Sequence, residues 1–246
     1  MTFETQGYID LPLRISEERL KTIREELSVY ANSQTQNSDQ SAYGILRNNA
    51  YLDIAILRQT LDDYNLGGLA CDILDIDEVT LFQDNLIWKP PHTDQTIEWH
   101  QDYSYWPLSA PKGITFWIAI DDTNRDNGCM QYIPGSHHWG ECQPANFFKD
   151  DGYFKGSDHP ELPTHSNRNQ IIDVVLEAGR GVAHHPLLAH KSHPNTSNRE
   201  RRGWSLTWID AGVNWDPDHA PHPYPVFHNV QKGARIEGDD FLRYRR

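Results

Sequence analysis

The chain has 246 residues and a formal net charge of −13, so it has no broad basic surface to bind a nucleic-acid backbone. Its length fits one domain with a sizeable core. Its cysteines are odd in number and lack Cys-x-x-Cys spacing, which argues against a disulfide framework or a thiolate zinc site. The N-terminus has no signal-peptide pattern, and no apolar run reaches the ~20 residues that span a bilayer. We therefore expect a cytoplasmic protein without a membrane partner.

The first third of the chain predicts a short strand followed by helices. Residues 7–11 have an extended pattern, and Ser16 is a plausible N-cap for a helix that places Leu20, Ile23 and Leu27 on one face. The polar stretch 32–40 is predicted to be a loop. A second helical segment is predicted at 51–64, ended by Gly67-Gly68.

From Val79 onwards the sequence predicts strands. Val79, Leu81, Gln83, Asn85 and Ile87 alternate with residues of the opposite face, and two polar side chains on one apolar face predict a strand that lines a cavity. Further strands are predicted at 114–120, 129–133, 171–176, 181–189 and 203–209.

These elements predict a mainly β fold, a double-stranded β-helix of the jelly-roll or cupin-like type, with N-terminal flanking helices. We expect one domain over residues 1–246, with a helical flank at about 14–70, a core at about 79–210 and a tail at 211–246. The polar segment 141–170 is too long for an ordinary connection and predicts a lid or binding loop. The tail is predicted to fold over the pocket mouth at 214–228 and to end in a solvated basic cluster, Arg243–Arg246.

One short motif points to metal chemistry. His100 and Asp102 lie in Trp-His-Gln-Asp-Tyr-Ser-Tyr-Trp, and residues two apart on an extended strand share a face. With one further imidazole they would form a facial triad, which leaves coordination positions open on a non-haem Fe(II). Because the chain has 13 histidines, an isolated His-x-Asp pair would favour a surface or hydrogen-bonded pair over a metal site. The preceding predicted strand, the Pro90-Pro91 loop and the aromatic neighbours favour the metal site.

Several residues compete for the third ligand position. His184, His185, His190 and His193 are all candidates, and His190 is preferred because Arg201 follows eleven residues later. A hairpin with a turn at 194–198 would place Arg201 almost opposite His190, since adjacent strands are ~4.8 Å apart. A guanidinium there could bind a carboxylate in bidentate fashion. Arg199 and Arg202 are alternatives, although strand alternation puts Arg202 on the other face.

Together these motifs resemble the phytanoyl-CoA dioxygenase family of Fe(II)/2-oxoglutarate oxygenases. The similarity extends from Gly7-Tyr8 to about Asp210. It includes Lys89-Pro90-Pro91, Trp99-His100-Gln101-Asp102, Asn127-Gly128-Cys129-Met130, Pro134-Gly135-Ser136-His137, and His190-x-Ser192-x-x-Asn195-x-Ser197 with Arg201. One departure is Gly179-Arg180, where many relatives have Gly-Asp.

The resemblance implies three cofactors or cosubstrates: Fe(II), 2-oxoglutarate and O2. It implies that His100, Asp102 and His190 are the catalytic iron ligands, that Arg201 holds the C5 carboxylate of 2-oxoglutarate, and that Ser192 assists. Three further residues are candidates for the cosubstrate pocket, with an ordinary core role as the alternative: Gln83, Asn85 and Trp117.

The expected activity is that of a dioxygenase oxidising an aliphatic C–H bond of a small metabolite, in secondary metabolism, by hydroxylation or by a related desaturation or cyclisation. Tyr103, Tyr105 and Trp106 are the candidate substrate contacts. A cupin-like isomerase or lyase is an alternative, but it would not need the Arg201 clamp. A non-catalytic metal-binding module is another. The sequence leaves the oligomeric state open.

Overall fold

The computed structural model describes residues 2–34, 45–94, 96–145, 159–162, 171–220 and 230–246, with the backbone alone at 32–34 and 45–48. Most of the predicted lid at 141–170 and of the predicted cover at 214–228 therefore lies outside the described residues. Most of the predicted loop at 32–40 also lies outside the described residues, and its first three residues belong to the helix that ends at Gln34.

Four helices precede or flank the first long strand. They are α1 (Phe3–Gln6), α2 (Glu17–Gln34), α3 (Ala55–Asp63) and α4 (Leu66–Leu74), and 3-10 turns occur at Ala50–Leu52, Tyr103–Tyr105 and Ser136–Trp139. Ser16 caps α2 as predicted, because its hydroxyl accepts a hydrogen bond from the amide of Arg19 at 3.2 Å. The predicted apolar face of α2 is buried.

The prediction that Gly67-Gly68 ends a helix is wrong, because both glycines lie inside α4. A Cβ on Gly67 would come within 2.1 Å of Cγ of Tyr244. The glycine therefore serves close packing of α4 against the C-terminal segment, which local sequence patterns do not reveal.

The strands form two antiparallel sheets. They are β1 (Tyr8–Asp10), β2 (Ile45–Asn48), β3 (Glu78–Lys89), β4 (Ile97–His100), β5 (Gly113–Ala119), β6 (Met130–Tyr132), β7 (Ile172–Val174), β8 (Gly181–His184), β9 (His190–Ser192), β10 (Arg201–Asp210) and β11 (Arg243–Arg245). The major sheet has the order β1-β8-β5-β10-β3-β11, with β2 also on β3, and the minor sheet has the order β4-β9-β6-β7. The predicted fold class, a mainly β jelly roll with N-terminal helices, is confirmed.

The two faces of the major sheet have different partners. On the outer face, Trp204, Leu206 and Trp208 of β10 join the apolar cluster that includes residues of α2, α3 and α4. On the inner face, Trp117 of β5 packs with Tyr132 of the minor sheet. Side chains of the central strands thus alternate between a helix-covered face and a face that looks onto the minor sheet, and a site can form in the space between the two sheets.

The predicted faces of β3 are correct only in part. The pairing register shifts from Thr207↔Gln83 to Trp208↔Leu81, so β3 contains a bulge. Leu81 therefore belongs to the helix-facing cluster, whereas Asn85 lines the space between the sheets. A bulge adds one residue and reverses the facing of everything beyond it, and alternation alone cannot locate it.

The arginines of the predicted solvated basic tail at Arg243–Arg246 are exposed, but the segment is not a free tail. Arg243–Arg245 pairs with β3 as an antiparallel strand. Arg243 forms an ion pair with Glu78 at 2.9 Å, and Arg246 forms one with Asp75 at 2.8 Å. The acidic partners, Glu78 and Asp75, are remote in sequence from these arginines.

Of the helices that the structure describes, none has both the length and the apolar character that a membrane crossing requires.

Candidate metal centre

His100, Asp102 and His190 come together between the two sheets, with potential ligand atoms that all lie within 4.8 Å of one another. Oδ1 of Asp102 is 3.7 Å from Nε2 of His100 and 3.5 Å from Nε2 of His190. The histidines are cross-strand partners of β4 and β9, and their ring centroids are 4.0 Å apart. One carboxylate oxygen and two imidazole nitrogens thus converge on one point.

Asp102 reaches this point by a different route from the one predicted. Strand β4 ends at His100, and Asp102 has φ −60° and ψ −44° at the start of a 3-10 turn. It is therefore a turn, and not the alternation of an extended strand, that directs the carboxylate to the histidines.

The orientation of both histidine rings is fixed by the backbone. Nδ1 of His100 lies 2.7 Å from the carbonyl of Glu98, and Nδ1 of His190 lies 2.9 Å from the carbonyl of Leu188. A carbonyl oxygen only accepts, so each Nδ1 donates and each Nε2 of the neutral ring keeps its lone pair for a metal. Burial lowers the pKa of His100, and burial followed by the charge of His100 lowers that of His190, which favours the neutral, metal-binding form.

The carboxyl group of Asp102 is held in its ionised form. Its Oδ2 accepts a hydrogen bond from the hydroxyl of Thr115 at 2.9 Å and lies 3.1 Å from Nε2 of His184. Burial alone would raise the pKa of Asp102, but His190 and His184 together outweigh it and hold this pKa below its usual range.

Gln101, between the two motif residues, is a fully used amide. Its Nε2 donates to the carbonyls of Gly140 at 2.9 Å and Leu187 at 2.8 Å, and its Oε1 accepts from the amide of Cys142 at 2.7 Å. The loop after the third 3-10 turn and the loop before β9 are thereby attached to the metal-ligand motif.

A cavity of ≈ 170 Å³ opens beside the three ligands, between the inner faces of the sheets. Its wall contains the candidate ligands together with Asn85, Ile87, Ile97, Trp117, Met130, His184, Lys191, Ser192, Arg201 and Ser205. Of the residues predicted for the cosubstrate, Asn85, Trp117, Ser192 and Arg201 are on this wall. Gln83 is buried in β3 but is not among the lining residues that the structure describes.

Arg201 provides a buried cation in this cavity. Its side chain is 1% exposed, and Nη2 donates to the carbonyl of Gly128 at 2.7 Å. Nε and Nη1 are buried without a hydrogen-bond partner among the described residues. Burial lowers the pKa of Arg201 to about 10, so the group stays charged at neutral pH. These unused N–H donors and the positive charge suit a carboxylate ligand.

The predicted hairpin between His190 and Arg201 is wrong. β9 belongs to the minor sheet and β10 to the major sheet, where Arg201 pairs in register with Lys89 of β3. The chain crosses from one sheet to the other after Ser192, so Arg201 faces the cavity from the opposite wall. The eleven-residue spacing is therefore the length of a crossover connection.

Lys89 is a residue that the sequence analysis quoted in a motif without giving it a role. Its Nζ donates to the hydroxyl of Ser192 at 2.8 Å and to the carbonyl of His193. Because the Ser192 hydroxyl accepts this hydrogen bond, its own proton is left to give to a ligand. Local sequence does not reveal this role, because Ser192 lies in the other sheet.

The three aromatic residues predicted for the substrate have different surroundings. Tyr103 and Trp106 are buried in an apolar cluster, and the Tyr103 hydroxyl donates to the carbonyl of Leu108 at 2.9 Å. The ring of Tyr105 lies 6.0 Å from that of His100, and its hydroxyl donates to the carbonyl of Ala145 at 2.7 Å. None of the three is on the cavity wall as the described residues form it, and their contact with a substrate stays a prediction.

A comparison with protein families places the chain. The family model of phytanoyl-CoA dioxygenase (PhyH) matches residues 3–203, which is most of the sequence. The chain belongs to the phytanoyl-CoA dioxygenase family. That match includes the whole candidate metal centre and Arg201.

Among curated members, the chain is 34% identical over 152 residues to phytanoyl-CoA dioxygenase domain-containing protein 1 of Bos taurus, which covers 58% of this chain and 50% of that protein. It is 31% identical over 134 residues to the peroxisomal phytanoyl-CoA dioxygenase of Bos taurus, covering 53% of this chain and 39% of the relative. The matched region thus spans half or less of these relatives.

Solved structures share the fold over nearly the whole chain. The 2-oxoglutarate-dependent carbocyclase SnoK from nogalamycin biosynthesis has a TM-score of 0.79 at 21% identity, covering 98% of this chain and 93% of that one. The epimerase SnoN, in complex with Fe3+, α-ketoglutarate and nogalamycin RO, has a TM-score of 0.76 at 20% identity, covering 98% and 95%. EctD from S. alaskensis, with 2-oxoglutarate and 5-hydroxyectoine, has a TM-score of 0.73 at 17% identity, covering 96% and 83%.

Proposed function

We propose that this protein is a non-haem Fe(II)- and 2-oxoglutarate-dependent dioxygenase. The observation that carries the proposal is the pairing of two features across one cavity. Two neutral imidazole nitrogens and one carboxylate oxygen converge on one wall, and a buried guanidinium with two unused N–H groups faces them from the other. The donor set, two imidazoles and one carboxylate with further positions left open, fits Fe(II).

Each residue then has a defined task. His100, Asp102 and His190 would hold the metal, with both rings oriented through Nδ1. Fe(II) with 2-oxoglutarate and O2 supplies the oxidising power that breaks an aliphatic C–H bond. Arg201 would bind the distal carboxylate of the dicarboxylate through its unused N–H donors, and Ser192 would donate to the same group. Trp117 and Asn85 would form the adjoining walls.

For the substrate, we propose a small metabolite of secondary metabolism. The support is the likeness in fold to SnoK and SnoN, whose names place them in nogalamycin biosynthesis. EctD, whose structure holds 5-hydroxyectoine, fits a small substrate as well. We further propose that the chain acts as a single domain, since the C-terminal strand β11 completes the same major sheet that α2, α3 and α4 cover. The unused N–H groups of Arg201 favour an oxygenase over a cupin-like isomerase or a non-catalytic module, neither of which needs a carboxylate clamp.

The test is an anaerobic titration of the Fe(II)-loaded protein with 2-oxoglutarate, followed by the visible charge-transfer band of the chelate. We expect the band in the wild type and its loss in His190→Ala. In Arg201→Met the metal should still bind, but the 2-oxoglutarate concentration at half-saturation should rise at least about 30-fold. Loss of one partner of a buried charge pair costs about 2 kcal/mol or more.

Arg199→Met is the matched control, because Arg199 is an exposed neighbour of the same charge. It should titrate like the wild type. Absence of the band in metal-loaded wild type would reject the dioxygenase proposal. An equal effect of Arg199→Met and Arg201→Met would reject Arg201 as the clamp.

A further inference from the structure

The two oxygens of Asp102 have separate environments. Oδ1 faces the two ligand imidazoles at 3.7 and 3.5 Å. Oδ2 faces away from them and is held by Thr115 at 2.9 Å and His184 at 3.1 Å. Oδ2 thus has two hydrogen-bond partners within the protein, and Oδ1 is the oxygen that faces the imidazoles.

The two groups that hold Oδ2 stand on one rigid element. Thr115 of β5 and His184 of β8 are cross-strand partners in the major sheet. Both side chains are buried, His184 to 1% exposure. Because neighbouring positions on paired strands are fixed by the ladder, the two hydrogen bonds meet the carboxylate in a set geometry.

Tyr132 continues the chain of hydrogen bonds beyond His184. Its hydroxyl lies 2.9 Å from Nδ1 of His184, and the tyrosine is completely buried. A carboxylate oxygen only accepts, so Nε2 of His184 donates to Asp102, and the Tyr132 hydroxyl is the partner of the other ring nitrogen. Tyr132 lies on β6 and is the cross-strand partner of the ligand His190. The hydrogen bonds from Tyr132 to His184 and from His184 to Asp102 therefore connect a residue of the minor sheet to the site through a residue of the major sheet.

We propose that His184, oriented by Tyr132, is a positioning residue that restricts Asp102 to coordination of the metal through Oδ1 alone. A carboxylate free to turn can bind a metal through both oxygens and would occupy one of the positions that a chelating cosubstrate needs. The proposal rests on the proposed function, because it concerns the same metal centre. It assigns to His184, one of the histidines that competed for ligand status, a role as hydrogen-bond donor to a ligand.

The experiment measures Mn(II) binding to the apo-protein anaerobically, and the visible spectrum of the Co(II)-substituted protein. His184→Phe keeps an aromatic ring at this position and removes both hydrogen bonds. We expect Mn(II) binding 10- to 100-fold weaker, the usual effect of losing a group that orients a metal ligand. We also expect the Co(II) bands to shift, because the second carboxylate oxygen becomes available. A purely structural residue would change the unfolding of the apo-protein without shifting these bands.

Tyr132→Phe should cause a smaller loss than His184→Phe, and the double variant should lose no more than His184→Phe alone, since Tyr132 acts through His184. The double variant also leaves no tyrosine hydroxyl buried without its partner, so the test remains possible if the single variant folds poorly. Tyr8→Phe is the control, because Tyr8 packs on Tyr132 at 5.4 Å outside this chain of hydrogen bonds.

Three outcomes would contradict either the proposed function or the positioning role of His184. If the wild type fails to bind Mn(II), the proposed function itself fails. If the wild type binds and His184→Phe binds equally well with an unchanged Co(II) spectrum, the positioning role is rejected. If His184→Phe loses as much affinity as His190→Ala, His184 is a ligand and the proposal is overturned.

Discussion

Lys89 is a completely buried lysine whose cross-strand partner is the buried Arg201. Burial, with a further contribution from the charge of Arg201, lowers the pKa of Lys89 to about 6. In the unfolded chain the pKa would be about 10.4. Between these values the unfolded state binds more protons than the folded state, so this residue makes the protein more stable as the pH rises.

We therefore expect Lys89→Met to flatten the pH dependence of stability. Between pH 7 and 8.5 the free energy of unfolding of the wild type should rise more steeply than that of the variant, by about 1 kcal/mol per pH unit. Urea unfolding at several pH values measures this slope. Lys21→Met, at an exposed site on α2, is the control and should leave the slope unchanged. Parallel curves for the wild type and Lys89→Met would show that Lys89 stays protonated in the folded protein.

At this scale the sequence predicted the residues that meet at the centre but not what surrounds them. His100, Asp102 and His190 could be chosen because residue type and motif context are local information. The hydrogen bonds from Thr115 and His184 could not, because they depend on how β5 and β8 pair. Lys89 was likewise hidden, since its partner Ser192 lies in the other sheet.

At the scale of elements, α4 packs on β11 so closely that a glycine is required. A Cβ on Gly67 would meet the ring carbon of Tyr244 at 2.1 Å, whereas one on Gly68 would meet the end of the exposed Asn65 side chain at 2.3 Å. An alanine normally stabilises a helix by about 1 kcal/mol relative to glycine. The buried contact with the Tyr244 ring at Gly67 cannot adjust to a methyl group, whereas the exposed Asn65 side chain beside Gly68 can move away.

Gly67→Ala should therefore destabilise the protein by about 1–3 kcal/mol, the usual cost of overpacking. Gly68→Ala, the matched control on the same helix, should be neutral or stabilising by up to about 1 kcal/mol. Chemical denaturation of the two variants measures the difference. Equal stability of both would mean that β11 is not held against α4 in solution.

Element by element, the strands followed the sequence where burial alone decided the pattern. β5 and β10 lie where apolar periodicity put them, because both run through the middle of the sandwich. The patterns failed where two distant segments meet. The bulge in β3, the crossover between β9 and β10, and β11 each depend on a partner strand that local sequence does not reveal.

At the scale of the whole molecule, His219 ties the C-terminal segment to the body of the jelly roll. Its Nδ1 lies 2.6 Å from the carbonyl of Trp106, and its Nε2 lies 3.0 Å from a carboxylate oxygen of Glu141. Both partners only accept, so both ring nitrogens donate and the ring is a positively charged imidazolium. Burial opposes the charge, but the hydrogen bonds to Glu141 and Trp106 outweigh it and raise the pKa of His219. Three other groups complete its surroundings: Tyr103 stacked at 4.4 Å, the charge of Asp216, and His159 beside Glu141.

A histidine with a raised pKa stabilises the fold fully below its unfolded value of about 6.5, and this contribution is lost as the pH rises through the folded value. We expect His219→Gln to cost about 1–3 kcal/mol at pH 6 and clearly less at pH 9. Urea unfolding at the two pH values tests this, with the exposed His138 replaced by Gln as control. An equal cost at both pH values would mean that the ring is neutral and that its role is packing.

The support of the metal centre also has an evolutionary consequence. Both ligand rings are oriented by main-chain carbonyls, those of Glu98 and Leu188, which every amino acid possesses. The exposed side chain of Glu98 can therefore be replaced without loss of this hydrogen bond, whereas Leu188 is also a buried core residue. The carboxylate, in contrast, depends on the side chains of Thr115 and His184. A substitution at Thr115 or His184 therefore removes a hydrogen bond of the carboxylate, whereas a substitution at Glu98 leaves the carbonyl that orients His100 in place.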